Sequence, residues 1–248
     1  MDPRSAVVAI KSNPRSEQIL GTGFFVPTGV ILTCAHVIED YYHPEMTAFF
    51  RVEGSADVLG ADLEFYSPEE EFDVAILRPK RKADFTPLRV ATSEQSKLHE
   101  FSIFGYPTLG EIHGLNGAGK ILGWIQSPAG HNQLQLDSDQ VTHGFSGAPI
   151  WDEELQAVVG MLQSGVAVEE VGKPSFGLPM EVLKGIYPDL PLEKVVGGKV
   201  QPASKVVSAG EGGNAINVEG DVTGNIVIGS NNIAVAKNSG TINVNSKS

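Results

Sequence analysis

Residues 21–36, GTGFFVPTGVILTCAH, contain two short apolar runs separated by Pro27, Thr28 and Gly29, and the second run ends on His36. Proline and glycine between two apolar runs predict a turn, so the stretch indicates a β-hairpin with the imidazole at the end of its second strand. A single histidine beside an apolar run is most often a satisfied core or rim residue. Whether His36 has a chemical role therefore depends on what else the chain supplies.

Short apolar or alternating segments of the same kind recur between glycine, proline, asparagine and aspartate. Examples are MTAFFRV, FDVAILRP, FSIFGYP, KILGWIQ, NQLQLD, APIWD and AVVGMLQS. Many short strands without long amphipathic helical periods predict an all-β sandwich or barrel. Only PMEVLKGIY, which begins at Pro179, has a helical pattern, and it is brief.

Composition limits the function classes that the chain can serve. With 248 residues, 41% of them hydrophobic, the chain can bury one large core or two smaller ones. The net charge of -12 provides no basic surface for phosphates, so neither nucleic acid nor a membrane surface is an expected partner. Cys34 is the single cysteine and no apolar run reaches bilayer length. We expect a cytoplasmic protein without internal disulfides, and with neither a metal nor a cofactor.

A change in composition after Pro191 predicts a domain boundary. Residues 1–190 form the expected folded domain, and residues 191–211, rich in Gly, Ser, Pro and Lys, indicate a flexible linker. Residues 212–248 form a Gly/Asn-rich tail that repeats a small unit. Its apolar pairs have the period of short strands between turns: Ile216/Val218, Ile226/Ile228, Ile233/Val235 and Ile242/Val244.

Three motifs of the first domain carry residues that could hydrolyse an amide. Such a reaction needs a hydroxyl, a base that takes its proton, a carboxylate that orients the base, and donors for the oxyanion. The motif TCAH ends in His36, Asp73 opens the apolar strand of FDVAILRP, and Ser146 lies between glycines in HGFSGAPI. Gly144 and Gly147 permit backbone conformations in which consecutive amides point into one hole.

Other residues compete for one of these roles. Three further aspartates could serve as the orienting carboxylate by their position in the chain, although none is followed by so apolar a strand: Asp57, Asp62 and Asp84. Ser146 could also be an ordinary serine of a glycine-rich turn. The occurrence of all three motifs in one chain favours the chemical interpretation.

The three motifs together resemble the chymotrypsin/trypsin-like serine peptidases, in which the chain order is also His, Asp, Ser. The resemblance covers about the first 190 residues, from GTGFFV to FGLPMEV. It implies a double β-barrel in which His36 is the general base, Asp73 orients it and Ser146 is the nucleophile, with the three residues in the cleft between the barrels. It also implies an oxyanion hole formed by the backbone amides of Gly144 and Ser146.

Phe145 departs from the pattern of the secreted members of this family. These commonly have an acidic residue there, which pairs with the new N-terminus after zymogen cleavage, so we do not expect that route of activation. The segments GFSGAPIWD and VVGMLQSG are similar to those of trypsin-like peptidases from bacterial defence and signalling proteins.

The same resemblance implies substrate-binding residues. Gln163, Ser164 and Gly165 resemble the strand that pairs with the substrate backbone. Gln140 lies near the floor of the pocket for the P1 side chain, the one that precedes the scissile bond. Because Gln140 is not acidic, a strict preference for Arg or Lys is not implied, although Asp137 and Asp139 could approach the pocket from nearby. His143 could meet an acidic or polar P1 side chain, or it could be an exposed loop residue.

The tail leaves three interpretations open. It could be a module of short hairpins that docks on a partner or oligomerises, because hairpins this short bury little surface alone. It could instead resemble the Gly/Asn-rich amyloid-signalling motifs through which bacterial NLR-like receptors recruit effectors. The third possibility is a flexible tail.

The leading functional hypothesis is a serine endopeptidase that acts as an intracellular effector and is regulated by its tail or a partner. Its substrate is a protein or peptide. The alternative is a catalytically inactive trypsin-like scaffold that serves as a protein-interaction or amyloid-signalling module. The presence of His36, Asp73, Ser146 and Gly144 favours the enzyme.

Overall fold

The computed structural model describes residues 3–82, 85–107, 114–164, 175–196 and 199–201, together with four short strands between residues 215 and 246. It divides into two compact units, Met1–Pro202 and Ala203–Ser248. Among the described residues, no helix has the length and apolar character needed to cross a membrane.

The first barrel closes six antiparallel strands in the order β1-β2-β3-β6-β5-β4. Its strands are β1 (Val7–Lys11), β2 (Ile19–Phe25), β3 (Ile31–Thr33), β4 (Thr47–Val52), β5 (Leu59–Ser67) and β6 (Val74–Pro79). Strands β2 and β3 form the hairpin that the sequence predicts, with Gly23 opposite Thr33. Gly29 closes its turn at φ +82°, a conformation that glycine adopts without steric cost.

The second barrel closes six antiparallel strands in the order β10-β11-β12-β9-β8-β7. Its strands are β7 (Glu100–Gly105), β8 (Leu115–Gln126), β9 (Asn132–Asp137), β10 (Pro149–Asp152), β11 (Ala157–Ser164) and β12 (Ser175–Pro179). The short helix α1 (Met180–Ile186) follows β12 at the predicted place. The predicted double β-barrel is therefore confirmed.

Each barrel has its own apolar core. Phe24, Phe25 and Phe50 are fully buried in the first core, which continues to residues on strands of the second barrel and to α1. Phe101 and Phe145 are buried in the second core. Burying an aromatic or aliphatic side chain of this size contributes about 1.5–3 kcal/mol. The two cores hold rigid the strand ends and loops that carry the candidate site.

The first compact unit extends past the predicted domain boundary at residue 190. Strands β13 (Lys194–Val196) and β14 (Lys199–Gln201) pair within the stretch interpreted as a linker. Glu193 forms a β-bridge with Ala91 and an ion pair with Arg89, in which its carboxylate lies 2.7 Å from the guanidinium. Val195 is buried in the second core. These contacts arise between distant residues, so the local Gly and Lys content that indicates a linker does not reveal them. The rest of the stretch lies outside the described residues.

The described residues of the second compact unit form four short strands. They are β15 (Ala215–Val218), β16 (Ile226–Ile228), β17 (Ile233–Ala236) and β18 (Val244–Ser246), which coincide with the predicted apolar pairs except that Ile242 lies outside the described residues. The pairing is not that of hairpins, because β15 pairs with β17 and β16 with β18, both in parallel. Two parallel strands cannot be joined by a tight turn and need a longer connection. The connection between β15 and β17 contains β16, which belongs to the other pair. In both pairs, each residue faces the residue 18 positions later, Ala215 with Ile233 and Ile226 with Val244.

Candidate active site

His36 and Asp73 meet because their strands are neighbours in the first barrel. His36 follows β3 and Asp73 directly precedes β6, and the two strands pair with Thr33 opposite Ala75. Nδ1 of His36 lies 2.9 Å from Oδ2 and 3.1 Å from Oδ1 of Asp73. The backbone amide of His36 also donates to Oδ1, at 3.1 Å. The carboxylate thus binds both the ring and the backbone of the histidine.

Asp73 has an unusual backbone conformation. Its φ is +52°, in the left-handed region where aspartate is tolerated better than most residues. The Asp73 amide donates to the carbonyl of Pro68 at 2.9 Å, and the side chain is buried. Strained residues of this kind persist where the surrounding structure holds them, and they are common at functional sites. The turn from Pro68 to Asp73 therefore aims the carboxylate at His36.

The two competing aspartates that the structure describes make no comparable contact. Asp62 pairs with Lys80 at 3.0 Å on the exposed side of the barrel. Asp57 is exposed, and Asp84 lies outside the described residues. Among the described candidates for the orienting carboxylate, only Asp73 forms a hydrogen bond with the ring of His36.

The environment of His36 changes its proton affinity. Burial disfavours the charged imidazolium, but the hydrogen bond to Asp73 and the negative charge of that carboxylate outweigh burial, so the pKa of His36 is raised above its ordinary value of 6.5. When neutral, the ring donates from Nδ1 to Asp73 and keeps the lone pair on Nε2. That tautomer is the one that can accept a proton from a hydroxyl.

Ser146 lies on a tight loop of the second barrel, between β9 and β10. Gly144 has φ +96° and Gly147 has φ +85°, so both glycines use conformations that other residues rarely adopt. A Cβ at Gly147 would lie 2.0 Å from the carbonyl oxygen of Thr22, which no side chain can accommodate. The amides of Gly144 and Ser146 donate to no acceptor within the described part of the chain. They are therefore available to a ligand.

The backbone of Ser146 connects the loop to the first barrel. Its carbonyl accepts a hydrogen bond from the amide of Thr22 in β2 at 2.9 Å, and β2 pairs with the strand that leads to His36. Within the described residues, no hydrogen bond joins the hydroxyl of Ser146 to the ring of His36. The structure thus brings His36 and Asp73 into direct contact and places Ser146 on the loop that packs against their barrel.

Cys34 lies fully buried between these parts. Its thiol donates to the carbonyl of Leu162 at 3.2 Å, the same carbonyl that accepts the amide of Gly147 at 2.8 Å. Burial, with a further contribution from the charge of Asp73, raises the pKa of the thiol well above its ordinary value. Potential metal-ligand atoms of Cys34, His36 and Asp73 lie within 4.8 Å of one another. No motif in the sequence indicates a role for this cysteine.

Gln163 is buried and its side chain has protein partners. Its amide nitrogen donates to the carbonyl of Phe72 at 2.7 Å, and its amide oxygen accepts from Gln133 at 3.0 Å. Because Phe72 precedes Asp73, the side chain links the second barrel to the turn that holds the carboxylate. The side chain of Gln163 is therefore bound within the protein, and the predicted pairing with a substrate involves only its backbone. Its neighbour Ser164 ends β11, and Gly165 lies outside the described residues.

The two residues expected at the P1 pocket are both exposed. Gln140 uses its side-chain oxygen to accept the amide of Ala118 in β8, at 3.1 Å. His143 lies on the exposed side of the loop, directly before Gly144. Ser146, which follows both residues in the chain, is half-buried.

Thr22 is a residue of this region that no motif of the sequence marks. It is fully buried in β2 and contacts the loop of Ser146 through both its backbone and its hydroxyl. The one local signal is a polar residue between two glycines in an otherwise apolar strand. That signal is equally typical of a turn.

Comparison with known proteins gives an independent view of the same domain. Residues 21–161, more than half of the chain, match the family model described as a trypsin-like peptidase domain. No curated protein shows a significant match.

Solved structures resemble the double barrel. The inactive form of a serine-to-alanine mutant of Rv3671c from M. tuberculosis H37Rv has a TM-score of 0.60 and 22% identity, covering 76% of this chain and 87% of its own. The active form of the Rv3671c protease from M. tuberculosis has a TM-score of 0.57 and 23% identity, covering 79% and 86%. Its inactive form has a TM-score of 0.57 and 23% identity, covering 76% and 90%. At this identity the likeness shows a shared fold.

Proposed function

We propose that this chain, which belongs to the trypsin-like peptidase domain family and is a trypsin-like serine peptidase, cleaves peptide bonds with Ser146 as its nucleophile. His36 acts as general base and Asp73 orients it. The observation that carries the proposal is the 2.9 Å contact between Nδ1 of His36 and the buried carboxylate of Asp73.

The reaction begins when the substrate carbonyl comes within reach of the Ser146 oxygen. As Oγ attacks the carbonyl carbon, its proton moves to Nε2 of His36, and the carbonyl oxygen gains a negative charge. The amides of Gly144 and Ser146 bind this oxyanion. The carboxylate of Asp73 stabilises the imidazolium that forms.

The tetrahedral intermediate collapses when His36 returns the proton to the leaving amine. The C–N bond breaks and an acyl-enzyme ester remains on Ser146. Water then attacks the ester while His36 takes its proton, and the second intermediate releases the acid product and the free hydroxyl. Each amide of the oxyanion hole is expected to contribute about 10²–10³ in rate.

The substrate is proposed to be an extended peptide that adds to the end of β11. The pairing of β11 with β10 ends at Met161, whereas its pairing with β12 continues to Ser164, which leaves residues 163 and 164 without a strand partner on the β10 side among the described residues. Residues 163–165 would pair with the peptide main chain, and Gln140 and His143 would lie near its P1 side chain. Because neither is acidic, we propose that the P1 residue is not restricted to Arg or Lys.

The tail is proposed to regulate the peptidase. Residues 212–248 would dock on a signalling partner, such as an NLR-like receptor, or associate with other copies of the chain. The parallel pairs β15-β17 and β16-β18 support this role, because among the described residues each is a two-stranded sheet with no further strand at its outer edges, and such edges can pair with another chain. A cytoplasmic effector of bacterial defence or signalling is the setting that we propose.

Labelling with a fluorophosphonate probe tests the catalytic assignment without a known substrate. The probe phosphonylates a serine only when a base activates its hydroxyl. We expect labelling of the native chain, none of Ser146→Ala, and undiminished labelling of Ser55→Ala, which removes an exposed hydroxyl. Labelling that persists in Ser146→Ala would contradict the proposal.

The inactive scaffold is the second candidate. The observation that favours it is the missing hydrogen bond between the Ser146 hydroxyl and His36 in the described residues. A folded native chain that the probe does not label would support this alternative.

A further inference from the structure

Thr22 makes four hydrogen bonds that connect the two halves of the candidate site. Its hydroxyl donates to the carbonyl of Gly144 and accepts from the amide of Tyr106, both at 2.9 Å. Its amide donates to the carbonyl of Ser146 at 2.9 Å. Its carbonyl accepts from the hydroxyl of Thr33 at 2.7 Å. Thr22 therefore contacts both the strand that leads to His36 and the loop that carries Ser146.

The two loop carbonyls that Thr22 holds lie on either side of the Ser146 amide. The carbonyl of Gly144 precedes the Phe145–Ser146 peptide and the carbonyl of Ser146 follows it. Gly144, at φ +96°, offers little resistance to rotation of its adjoining peptide groups. A hydrogen bond on each side of the peptide supplies the restraint that glycine lacks.

The packing around Thr22 adds to this restraint. A Cβ at Gly105 would lie 2.8 Å from both the Thr22 hydroxyl and the ring of Phe145. Phe145 itself is buried in the second core. Rotation of the loop peptides would therefore require Phe145 to leave its place in the core or the hydrogen bonds to Thr22 to break.

We propose that Thr22 is a positioning residue, whose hydroxyl holds residues 144–147 in the conformation that points the amides of Gly144 and Ser146 at the substrate oxyanion. It touches no reacting atom and acts through the loop. The inference rests on the proposed peptidase function. A displacement of about 1 Å in a catalytic group can cost about 10²-fold in rate, so loss of the hydroxyl is expected to slow the reaction on the order of 10- to 100-fold.

Thr22→Val and Thr22→Ser separate the hydroxyl from the shape of the side chain. Valine keeps the branched shape and loses both hydroxyl bonds, whereas serine keeps the hydroxyl. The measurement is the second-order rate of fluorophosphonate labelling together with the fraction finally labelled. A positioning role lowers the rate in Thr22→Val and leaves the final fraction unchanged, while a loss of folded protein lowers the fraction. Thr22→Ser is expected to restore a rate close to that of the native chain.

Ser93→Ala is the matched control. The hydroxyl of Ser93 is also fully buried, donating to Glu181 at 2.6 Å and accepting from Trp124 at 3.0 Å. This variant therefore loses one donated and one accepted bond, as Thr22→Val does, without touching the loop of Ser146. It should lower the melting temperature and leave the labelling rate unchanged.

Each remaining outcome counts against the proposal in a distinguishable way. Thr22→Val that labels as fast as Thr22→Ser would overturn the positioning role while the peptidase function stands. A native chain that is not labelled would overturn both. If Thr22→Val does not fold, Thr22→Ala removes the same hydroxyl without placing a methyl group against the Gly144 carbonyl, and a native rate in that variant would overturn the proposal.

Discussion

The carboxylate of Asp73 binds His36 at two points, the ring nitrogen Nδ1 at 2.9 Å from Oδ2 and the backbone amide at 3.1 Å from Oδ1. The second bond fixes the carboxylate relative to the main chain from which the imidazole projects. Rotation of either side chain alone would break one of the two contacts. The orientation of the ring is thus determined by the backbone as well as by its partner.

Asp73→Asn should preserve the shape of this pair and destroy its chemistry. The amide of asparagine can donate to Nδ1, which leaves the proton on Nε2, where no hydroxyl proton can then be accepted. We expect kcat to fall by about 10⁴-fold. Steady-state kinetics measure the effect, with Asp62→Asn as a control because Asp62 pairs only with the exposed Lys80. A loss no larger in Asp73→Asn than in the control would contradict the assignment.

The acid limb of the pH profile should have its midpoint above 6.5, because Asp73 raises the pKa of His36 from that ordinary value. Activity requires the neutral ring and therefore falls as the pH drops through the raised pKa. The linked effect on stability has the opposite sense: the pair stabilises the fold fully below the unfolded-state pKa, and this contribution is lost as the pH rises through the folded-state pKa. Labelling rates and urea unfolding, each measured across pH, test the two trends. A midpoint below that of free histidine would contradict the dominance of Asp73.

Cys34 should not react with thiol reagents in the folded protein. Burial and the nearby charge of Asp73 raise the pKa of its thiol, and the thiolate is the reactive form. Titration with Ellman's reagent should detect no thiol under native conditions and the single thiol after guanidinium is added. Rapid reaction of the native chain, at a rate independent of unfolding, would show that Cys34 is accessible.

Gly147→Ala should be far more harmful than Gly130→Ala, although both glycines have φ +85°. A Cβ at Gly147 would lie 2.0 Å from the carbonyl of Thr22, whereas a Cβ at Gly130 meets nothing within 4 Å. Gly130→Ala therefore bears only the conformational cost of a left-handed residue, about 1–2 kcal/mol. Gly147→Ala adds a backbone clash and should displace the loop, with loss of both stability and labelling. Equal unfolding free energies for the two variants would be inconsistent with this packing.

Deletion of residues 212–248 should leave a folded peptidase domain that no longer self-associates or responds to a partner. The barrels and the β13-β14 pair all lie within residues 1–202, one of the two compact units, so we expect this part to fold without the tail. Sedimentation velocity and proteolysis assays on the full-length and shortened chains test this. Identical association states and identical activities would show that the tail does not regulate the enzyme.

Local patterns predict the parts of the molecule whose cause is local. The turn at Pro27 to Gly29 indicates the β2-β3 hairpin, and the apolar run after Asp73 indicates β6. Strand β5 is less obvious from sequence, because a register shift between Leu63 and Phe65 interrupts its alternation. Closure of the barrels depends on the order of all the strands and not on any one segment. The prediction of a double barrel therefore rests on the family resemblance.

The residues that the sequence does not reveal owe their roles to distant partners. Thr22 and Gly144 are bonded across 122 positions, and Gln163 reaches Phe72 across 91. Neither threonine between glycines nor glutamine in an apolar strand signals such a contact by itself. The same reason applies to β13 and to the parallel pairing of the tail strands, because both depend on contacts with distant residues.

The proposed base and its carboxylate lie in the first barrel, whereas the proposed nucleophile and oxyanion amides lie in the second. During synthesis on the ribosome, His36 and Asp73 emerge and pair long before β12 is available to close the second barrel. On the proposed assignment, we therefore expect no hydrolysis by the nascent chain until β12, which ends at Pro179, has left the exit tunnel. The same division makes the segment between β6 and β7 the natural point at which to split the gene, so that activity would report on the meeting of two separately expressed halves.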